Sequence, residues 1–466
     1  MAAENVIKER YQQLSNIIDD IPFNRAHGLV IFMIALGALF DAVEQYNAGY
    51  VAPVLTELWG ISPGQVGLLT TFTFGGMAIG SLIAGVLGDR IGRKITYMYN
   101  LALYTFGALI GAFAPNIEVL YLGRLIVGIG LGGELNAGLT MVSEFVSTRA
   151  RGSSVAVVNI AAGGLGIFLS AALSFLILGP LSAPLGGEDV AWRWVLGILA
   201  LPALLLWVYR LYIPESPRYL LSRGRVDKLN TVLSLLRWRT LRETKLPEVE
   251  EHFSHQGESE LEEKTRLSEI FEGYLARRTF GLWTISWMTF GAQVAITVFF
   301  PTVLVSQGYT VANSLFFTMI INVGGLVGAI LASYFAAKLP RRWVLGFGAL
   351  IAVGVAVLYA VVKSTELVVL VGALMQLMFI FLNTTTWLYA PELYPTRVRA
   401  FGTGASVVVA LVSASVMPYV AGRIFDVADV VGLFGMVAVM YFIMSAAVFL
   451  MNVETKDRSL EEVSEA

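Results

Sequence analysis

Four ionisable residues interrupt otherwise apolar stretches of this chain: Asp41, Glu44, Arg124 and Glu134. A charged side chain near the centre of a bilayer costs roughly 2.5–3.5 kcal/mol on insertion scales, so each of the four marks a place where charge is used. Asp41 and Glu44 stand three apart and share one helix face. Arg124 lies about six residues, roughly 9 Å, inside its stretch. That depth approximates the depth of Glu44 on a helix running the other way, so a Glu44–Arg124 pair is expected. Burial favours the neutral acid and the guanidinium favours the carboxylate, and a pair balanced between the two can gain and lose a proton. The same pair can also be a static ion pair. Asp41 is the alternative carrier or a relay partner. Glu134 joins the proton path, lines a cavity, or caps polar contacts near the inner interface.

A second set of residues carries hydrogen-bonding and ring chemistry. Gln45, Tyr46, Asn47, Asn159, Trp283, Trp287, Gln293, Asn322, Gln376, Asn383, Thr384 and Trp387 are the polar and aromatic members of apolar runs. Together they suit a cavity with amides for hydrogen bonds and aromatic plates for a flat ring. Gln45 and Gln293 are 248 residues apart and are expected to face each other across two halves of the molecule.

These residues must be held by membrane helices. Of the 466 residues, 56% are hydrophobic and 14% are charged, against roughly 25% charge in a soluble domain. Twelve runs long enough to span a bilayer lie near 28–52, 64–88, 95–114, 118–141, 152–178, 192–213, 280–305, 312–336, 342–362, 366–390, 400–423 and 430–453. They are too long and too glycine-rich for barrel strands. Cysteine is absent, which excludes disulfides, thiolate metal sites and a cysteine nucleophile. His27, His252 and His255 all fall outside the apolar runs. A net charge of −2 gives no bulk basic surface for nucleic acid. No nucleophile–base set appears, so an enzyme is not expected, nor is a cofactor or a metal. The expected partners are a small-molecule substrate, protons and the lipid bilayer, with the chain as a monomer.

Lys and Arg set the orientation. With the N-terminus inside, 27 of the 32 Lys and Arg fall in inside segments. The expectation is a multi-pass protein of the cell membrane with both termini cytoplasmic. Its parts are an N-tail (1–27), a six-helix bundle (28–213), a cytoplasmic linker (214–279), a second six-helix bundle (280–453) and a C-tail (454–466). In the N-tail, Val6 or Ile7, Tyr11, Leu14 and Ile18 sit at helical spacing, fitting an interfacial helix or a frayed tail. In the linker, Val226, Leu229, Leu233 and Leu236 predict one amphipathic helix, and Leu267, Ile270, Phe271 and Leu275 predict another.

Two signatures recur at one offset. Gly85-Val-Leu-Gly-Asp-Arg-Ile-Gly-Arg-Lys94 returns as Ser333-Tyr-Phe-Ala-Ala-Lys-Leu-Pro-Arg-Arg342, and Glu144-Phe-Val-Ser-Thr-Arg-Ala-Arg151 returns as Glu392-Leu-Tyr-Pro-Thr-Arg-Val-Arg399, each 248 residues later. Two homologous six-helix halves about an axis along the membrane normal, with the substrate path between them, are the physical consequence. Opposite charges at the inner helix ends can latch the halves: Asp89, Arg90, Arg93 and Lys94, then Glu144, Arg149, Arg151, Glu215 and Arg218, and in the other half Glu392, Arg397 and Arg399. Positive charge also serves topology alone. The string Gly128-Ile-Gly-Leu-Gly-Gly133 fits a dinucleotide fingerprint but lies inside a span, where a strand cannot precede it. Gly128/Gly132, Gly76/Gly80, Gly107/Gly111 and Gly324/Gly328 instead have the spacing of close helix contacts.

Gly85, Asp89, Arg90, Gly92, Arg93 and Lys94 resemble the loop 2–3 signature of the major facilitator superfamily. Pro214-Glu-Ser-Pro-Arg-Tyr-Leu-Leu221 is similar to the stretch after span six in its sugar-porter and organic-ion branches, and Glu454-Thr455-Lys456 to the matching signature after span twelve. Phe40-Asp-Ala-Val-Glu44, Gly132-Gly-Glu-Leu135 with Val142-Ser-Glu144, and Ala390-Pro-Glu-Leu-Tyr-Pro-Thr-Arg397 resemble metabolite:proton symporters of the niacin-transporter type, near the synaptic-vesicle-protein-like branch. The resemblance implies an all-α fold of twelve helices in two bundles and alternating access. It implies Glu44 as proton carrier facing a span-four arginine, and Trp387, five residues before Glu392, as a cavity tryptophan. Two departures stand out. Ala337 and Pro340 replace the acid and glycine of the first loop, and Phe290-Gly-Ala-Gln-Val-Ala-Ile-Thr297 supplies one Gln where sugar porters carry a Gln-Gln-x-Ser-Gly-x-Asn run. The expected function is proton symport of a small organic solute, first a ring-bearing acid. The alternatives are a sugar, an organic cation or drug, and uncoupled passage on the same fold.

Overall fold

The computed structural model describes residues 2–201, 213–254, 267–336 and 338–455. The side chains of Asp89, Arg93 and Arg397 lie outside the described set, as do residues 202–212, 255–266 and Ala337. The described residues are mostly helical, joined by short turns and loops, with no strand among them. In hydrocarbon, helices satisfy every backbone polar group within the segment, which is why the apolar runs take this form.

The helices overrun the apolar cores and end on local chemistry. Span one covers Arg25–Trp59. Its first turn is closed by Asn24, whose side chain accepts from Ala26 N (2.9 Å), while Asn24 N donates to His27 Nδ1 (3.3 Å). Gly60, at φ 62°, ends it in the left-handed region that glycine tolerates. Spans two to four are Pro63–Ile91, Arg93–Ala112 and Ile117–Phe145. Span five, Thr148–Leu178, contains a π-helical turn at Ile160–Gly166. Span six begins at Glu188. Spans seven to ten are Gly273–Ser306, Val311–Ala336, Arg341–Val361 and Thr365–Tyr389. Spans eleven and twelve form the run Thr396–Met451, broken at Asp429 by a non-helical residue with φ 52°. By length and apolarity alone, eight described helices can cross a membrane, and the one ending at Met451 holds two spans. Spans three, four and six complete the twelve.

Glycine packing repeats with the sequence. A Cβ on Gly76 or Gly80 of span two would run into the carbonyls of Leu125 and Ile129 in span four. A Cβ on Gly324 or Gly328 of span eight would meet the carbonyls of Ala373 and Leu377 in span ten. All four pairs of positions are 248 apart, so both halves use one helix-crossing solution. The halves meet where span two packs on span eleven, span five on span eight and span one on span seven.

The face that carries both termini holds a packed module. The N-terminal helix Ala2–Asp20 packs the described part of its apolar stripe on the linker: Leu14 and Ile18 are buried in one cluster with Leu229, Leu233, Leu236 and Phe253, and the side chains of Val6 and Ile7 lie outside the described residues. Arg10 and Gln13 donate to the carbonyls of Ser254 and His252 (both 3.3 Å), and Asp19 caps span five by accepting from Thr148 N at 2.7 Å. Val226–Arg237 is the amphipathic helix its spacing predicts. The second linker helix is not formed as expected. Leu267–Phe271 is a short 3₁₀ turn, and Leu275 already belongs to span seven. Four apolar residues at helical spacing there straddle a helix start at Gly273, whose φ is 54°. Leu14→Ala is expected to loosen this module by about 2–5 kcal/mol. Hydrogen exchange of residues 9–20 should rise by at least tenfold; unchanged protection would show that the helix holds without that contact.

Candidate functional site

Span one delivers Glu44 and span four delivers Arg124 to one buried point. Glu44 is 0% and Arg124 1% exposed. Arg124 Nη1 donates to Glu44 Oε1 at 2.5 Å, Nη2 to the Glu44 backbone carbonyl at 2.9 Å, and Nε to Thr73 Oγ1 of span two at 3.0 Å. The guanidinium therefore clamps three helices with its fixed fork of donors. Glu44 Oε2 has no hydrogen-bond partner among the described residues, which leaves one carboxylate oxygen for a proton. Asp41 (2% exposed) and Glu134 (1% exposed) are buried in the same half. The Tyr104 hydroxyl, donating to Leu199 O at 2.9 Å, lies in the electrostatic field of Glu44, Asp41, Glu134 and Arg124 together. Glu134 sits within the helix Ile117–Phe145, eleven residues before its end.

Beside this pair, the amides form a string across the halves. Gln293 of span seven donates to Tyr46 Oη of span one at 3.2 Å and accepts from Asn383 of span ten. The expected partner Gln45 is half-buried and one residue off that face; the residue that faces Gln293 is Tyr46. One helix residue turns a side chain by about 100°, enough to move it off the contact. A ring series follows the same line. Tyr46 meets Phe74 edge-on (6.5 Å between centroids), Phe74 meets Phe290 (5.9 Å), and Phe290 meets Trp387 (6.3 Å). Trp287 is half-buried, and its carbonyl accepts from Ser413 at 2.6 Å.

Other amides are occupied elsewhere. Asn47 accepts from Ser170 (2.7 Å) and Ser174 (3.4 Å) and so joins spans one and five. Asn322 donates to Tyr50 Oη (3.0 Å) and to Ile167 O (3.2 Å), a contact between the halves. Gln376 accepts from Thr297 at 3.2 Å within the second half. Asn159 is half-buried at the start of the π turn, and among the described residues no hydrogen bond joins it to the Gln293 string. Thr384 is half-buried. Trp283 packs with Phe271 (5.7 Å) and Phe280 (5.8 Å) in an aromatic group at the start of span seven, two of whose rings are exposed, so it is not a cavity residue. Thr73, Phe74, Tyr50 and Phe290 carry no sequence signal that singles them out as cavity candidates, with one exception. Tyr50 follows Tyr46 by one turn, which is the signal that could have found it.

At the termini face the following contacts of the charge clusters lie within each half. Glu215 accepts from Lys94 N at 3.2 and 3.3 Å, capping span three, and Ser216 donates to Glu144. In the second half Glu454 accepts from Arg341 N (3.0 Å) and Arg342 N (3.2 Å), capping span nine, and Thr455 donates to Glu392. Arg341 adds an ion pair to Glu392 at 3.2 Å. Arg399 Nε donates to Tyr394 O at 3.2 Å. Arg90 and Arg149 are exposed; Arg151 and Arg218 are half-buried. The side chains of Asp89, Arg93 and Arg397 lie outside the described residues. An acid capping the N-terminus of a helix is favoured by the helix dipole, and the two signatures, Glu215-Ser216 and Glu454-Thr455, do the same work in their own halves.

The niacin transporter NiaP of Acinetobacter baylyi is 27% identical over 454 residues, covering 96% of this chain and 98% of that protein. The inner membrane metabolite transport protein YdjE of Escherichia coli is 27% identical over 466 residues, covering 98% and 99%. A solved D-xylose-proton symporter superposes with a TM-score of 0.70 at 17% identity, covering 92% of this chain and 99% of that one, which shows a shared fold. The family described as Sugar (and other) transporter matches residues 30–466. With twelve helices in two repeated halves and a polar, ring-lined line between them, the chain belongs to this family of membrane transporters of the major facilitator superfamily, and is not an enzyme.

Proposed function

We propose that the protein is a proton-coupled symporter working by alternating access, that Glu44 is its proton carrier, and that its first substrate class is a small ring-bearing carboxylate of the nicotinate kind. The observation that supports this most is the buried Glu44–Arg124 pair, at 2.5 Å with the second carboxylate oxygen unpartnered among the described residues. Protonation of Glu44 removes the negative charge that Arg124 faces and frees its Nη1, the donor to Oε1, to take another partner as the crevice changes sides. Asp41 and Glu134 are the relay candidates in the same field. Tyr46, Phe74, Phe290 and Trp387 offer ring faces and edges, and Gln293 and Asn383 offer amides. A niacin transporter among the relatives favours the aromatic acid.

A pentose is the second candidate, favoured by the Gln293–Asn383 amides, which suit hydroxyl groups. The remaining expectations belong to the same proposal: a monomer in the cell membrane, both termini cytoplasmic on the strength of the Lys and Arg bias, and the domain boundaries at 27/28, 213/214, 279/280 and 453/454.

Energetics supplies the test. A membrane potential of 100 mV is worth roughly 2.3 kcal/mol per charge, and tenfold accumulation costs about 1.4 kcal/mol. One proton carried with a monoanion moves no net charge, so only a pH step drives it. One proton carried with a sugar responds to the potential as well. In vesicles holding the purified protein, a one-unit pH step should concentrate nicotinate up to about tenfold, and a potassium diffusion potential alone should not. Potential-driven uptake of xylose in place of nicotinate would move the substrate to the sugar class. No solute flux under any imposed pH step would end the proton assignment.

A further inference from the structure

Arg124 holds Thr73 as well as Glu44, and that third contact has no part in carrying a proton. Thr73 is fully buried, and its hydroxyl donates to Leu69 O at 2.9 Å while accepting from Arg124 Nε at 3.0 Å. Thr73 O in turn lies so close to Gly128 that a Cβ there would collide with it, so spans two and four leave no slack at this level. Two residues earlier on span two, Thr71 Oγ1 donates to Ser415 O of span eleven at 2.5 Å, and Ser415 Oγ donates back to Thr71 O at 2.9 Å. From there toward the face opposite the termini, the two helices approach backbone to backbone. A Cβ on Gly67 would meet Pro418 O, and one on Gly422 would meet Pro63 O. Phe74, next to Thr73, carries the ring contact to Phe290 of the second half.

We infer that Thr73 is a positioning residue that fixes Arg124 to span two, and that span two, through the reciprocal Thr71–Ser415 pair, carries the state of the Glu44–Arg124 pair to the second half. The inference rests on Glu44 as proton carrier. Its physical content is a chain of short, directed bonds: carboxylate to guanidinium, guanidinium to hydroxyl, then one helix rigid over two residues, then two hydroxyl–carbonyl bonds across the halves. When Glu44 takes a proton, Arg124 retains the Thr73 hydroxyl and the Glu44 carbonyl, so its motion is delivered to span two and is not dissipated in the cavity. A hydroxyl that only packed would be replaceable by a methyl group of the same size. One that orients a guanidinium is not, because its loss strands a buried N–H.

The test uses full-length protein in vesicles with an imposed pH step and labelled nicotinate, with labelled xylose in its place if the unmodified protein takes up xylose alone. Thr73→Val should lower the steady-state accumulation ratio at least fivefold more than it lowers counterflow exchange, and Thr73→Ser should restore at least half of the ratio. Ser415→Val, at the far end of the chain of bonds, should uncouple in the same sense and serves if Thr73→Val gives no folded protein. Accumulation at the unmodified level in Thr73→Val, with Glu44→Gln inactive in accumulation, overturns the inference and leaves the proton carrier standing. Unmodified accumulation in Glu44→Gln as well overturns both. Equal loss in Thr73→Val and Thr73→Ser also overturns it, since the hydroxyl would then have no role of its own.

Discussion

Glu44→Gln should bring the steady-state accumulation ratio to one under any pH step, while counterflow exchange persists. The amide keeps the size of the side chain and removes the titrating oxygen. On the proposed reading, one proton carried per solute under a one-unit step can hold up to about a tenfold gradient, equal to about 1.4 kcal/mol; the variant has no proton to exchange for it. Stability should fall as well. Arg124 is 1% exposed, and removing one member of a buried pair leaves the other charge uncompensated, at about 3–5 kcal/mol. The double variant Glu44→Gln with Arg124→Gln should regain much of that stability without regaining accumulation. This separates loss of the proton site from loss of the fold. Solute retention under a pH step reads the first, and thermal unfolding in detergent reads the second. If accumulation survives both in Glu44→Gln and in Asp41→Asn, the acids of span one do not carry the proton.

The sequence carried the Glu44–Arg124 pair because depth in a bilayer is readable from residue number. Two antiparallel spans with charges at matching depths must neutralise them on each other or expose them to lipid. It carried the Gly76/Gly80 and Gly324/Gly328 contacts for a related reason, since a residue without a side chain at four-residue spacing has one use inside an apolar helix. Azimuth was harder. Gln45 and Gln293 share an offset of 248, yet Tyr46 meets Gln293, because one residue of rotation separates contact from no contact and no periodicity in an all-apolar helix fixes it. Thr73 was invisible for another reason. A threonine in a membrane helix usually satisfies its hydroxyl on the preceding turn, as Thr73 does with Leu69 O. Only coordinates show that the same oxygen also accepts from a guanidinium. The repeat of the cytoplasmic charges is legible, but residue type and spacing cannot tell a latch between halves from a cap within one. Glu215 on Lys94 N and Glu454 on Arg341 N are caps, while the side chains of Asp89, Arg93 and Arg397 lie outside the described residues.

The repeat makes a second large effect accessible. Gly80 and Gly328 occupy equivalent positions, each facing a backbone carbonyl of the helix two spans on, Ile129 O and Leu377 O. A side chain there has nowhere to go. The obstacle is main chain, which cannot change rotamer, and shifting it would move a whole span. Inserting methylenes into a packed core typically costs 1–3 kcal/mol, occasionally more; against backbone the upper end applies, so Gly80→Leu and Gly328→Leu should each lose at least about 3 kcal/mol. In the first half the damage should reach function even where some protein folds. Pushing span four from span two also separates Arg124 from Thr73, whose carbonyl touches Gly128 on the same contact line. Gly80→Leu should therefore lower the accumulation ratio more than Gly328→Leu at equal loss of thermal stability. Gly354, with nothing within 4 Å of its would-be Cβ, is the control position, and Gly354→Leu should unfold near the unmodified temperature. If Gly80→Leu unfolds there too, the helices are not held at contact distance, and the clamp that Arg124 makes across three spans loses the rigid frame it requires.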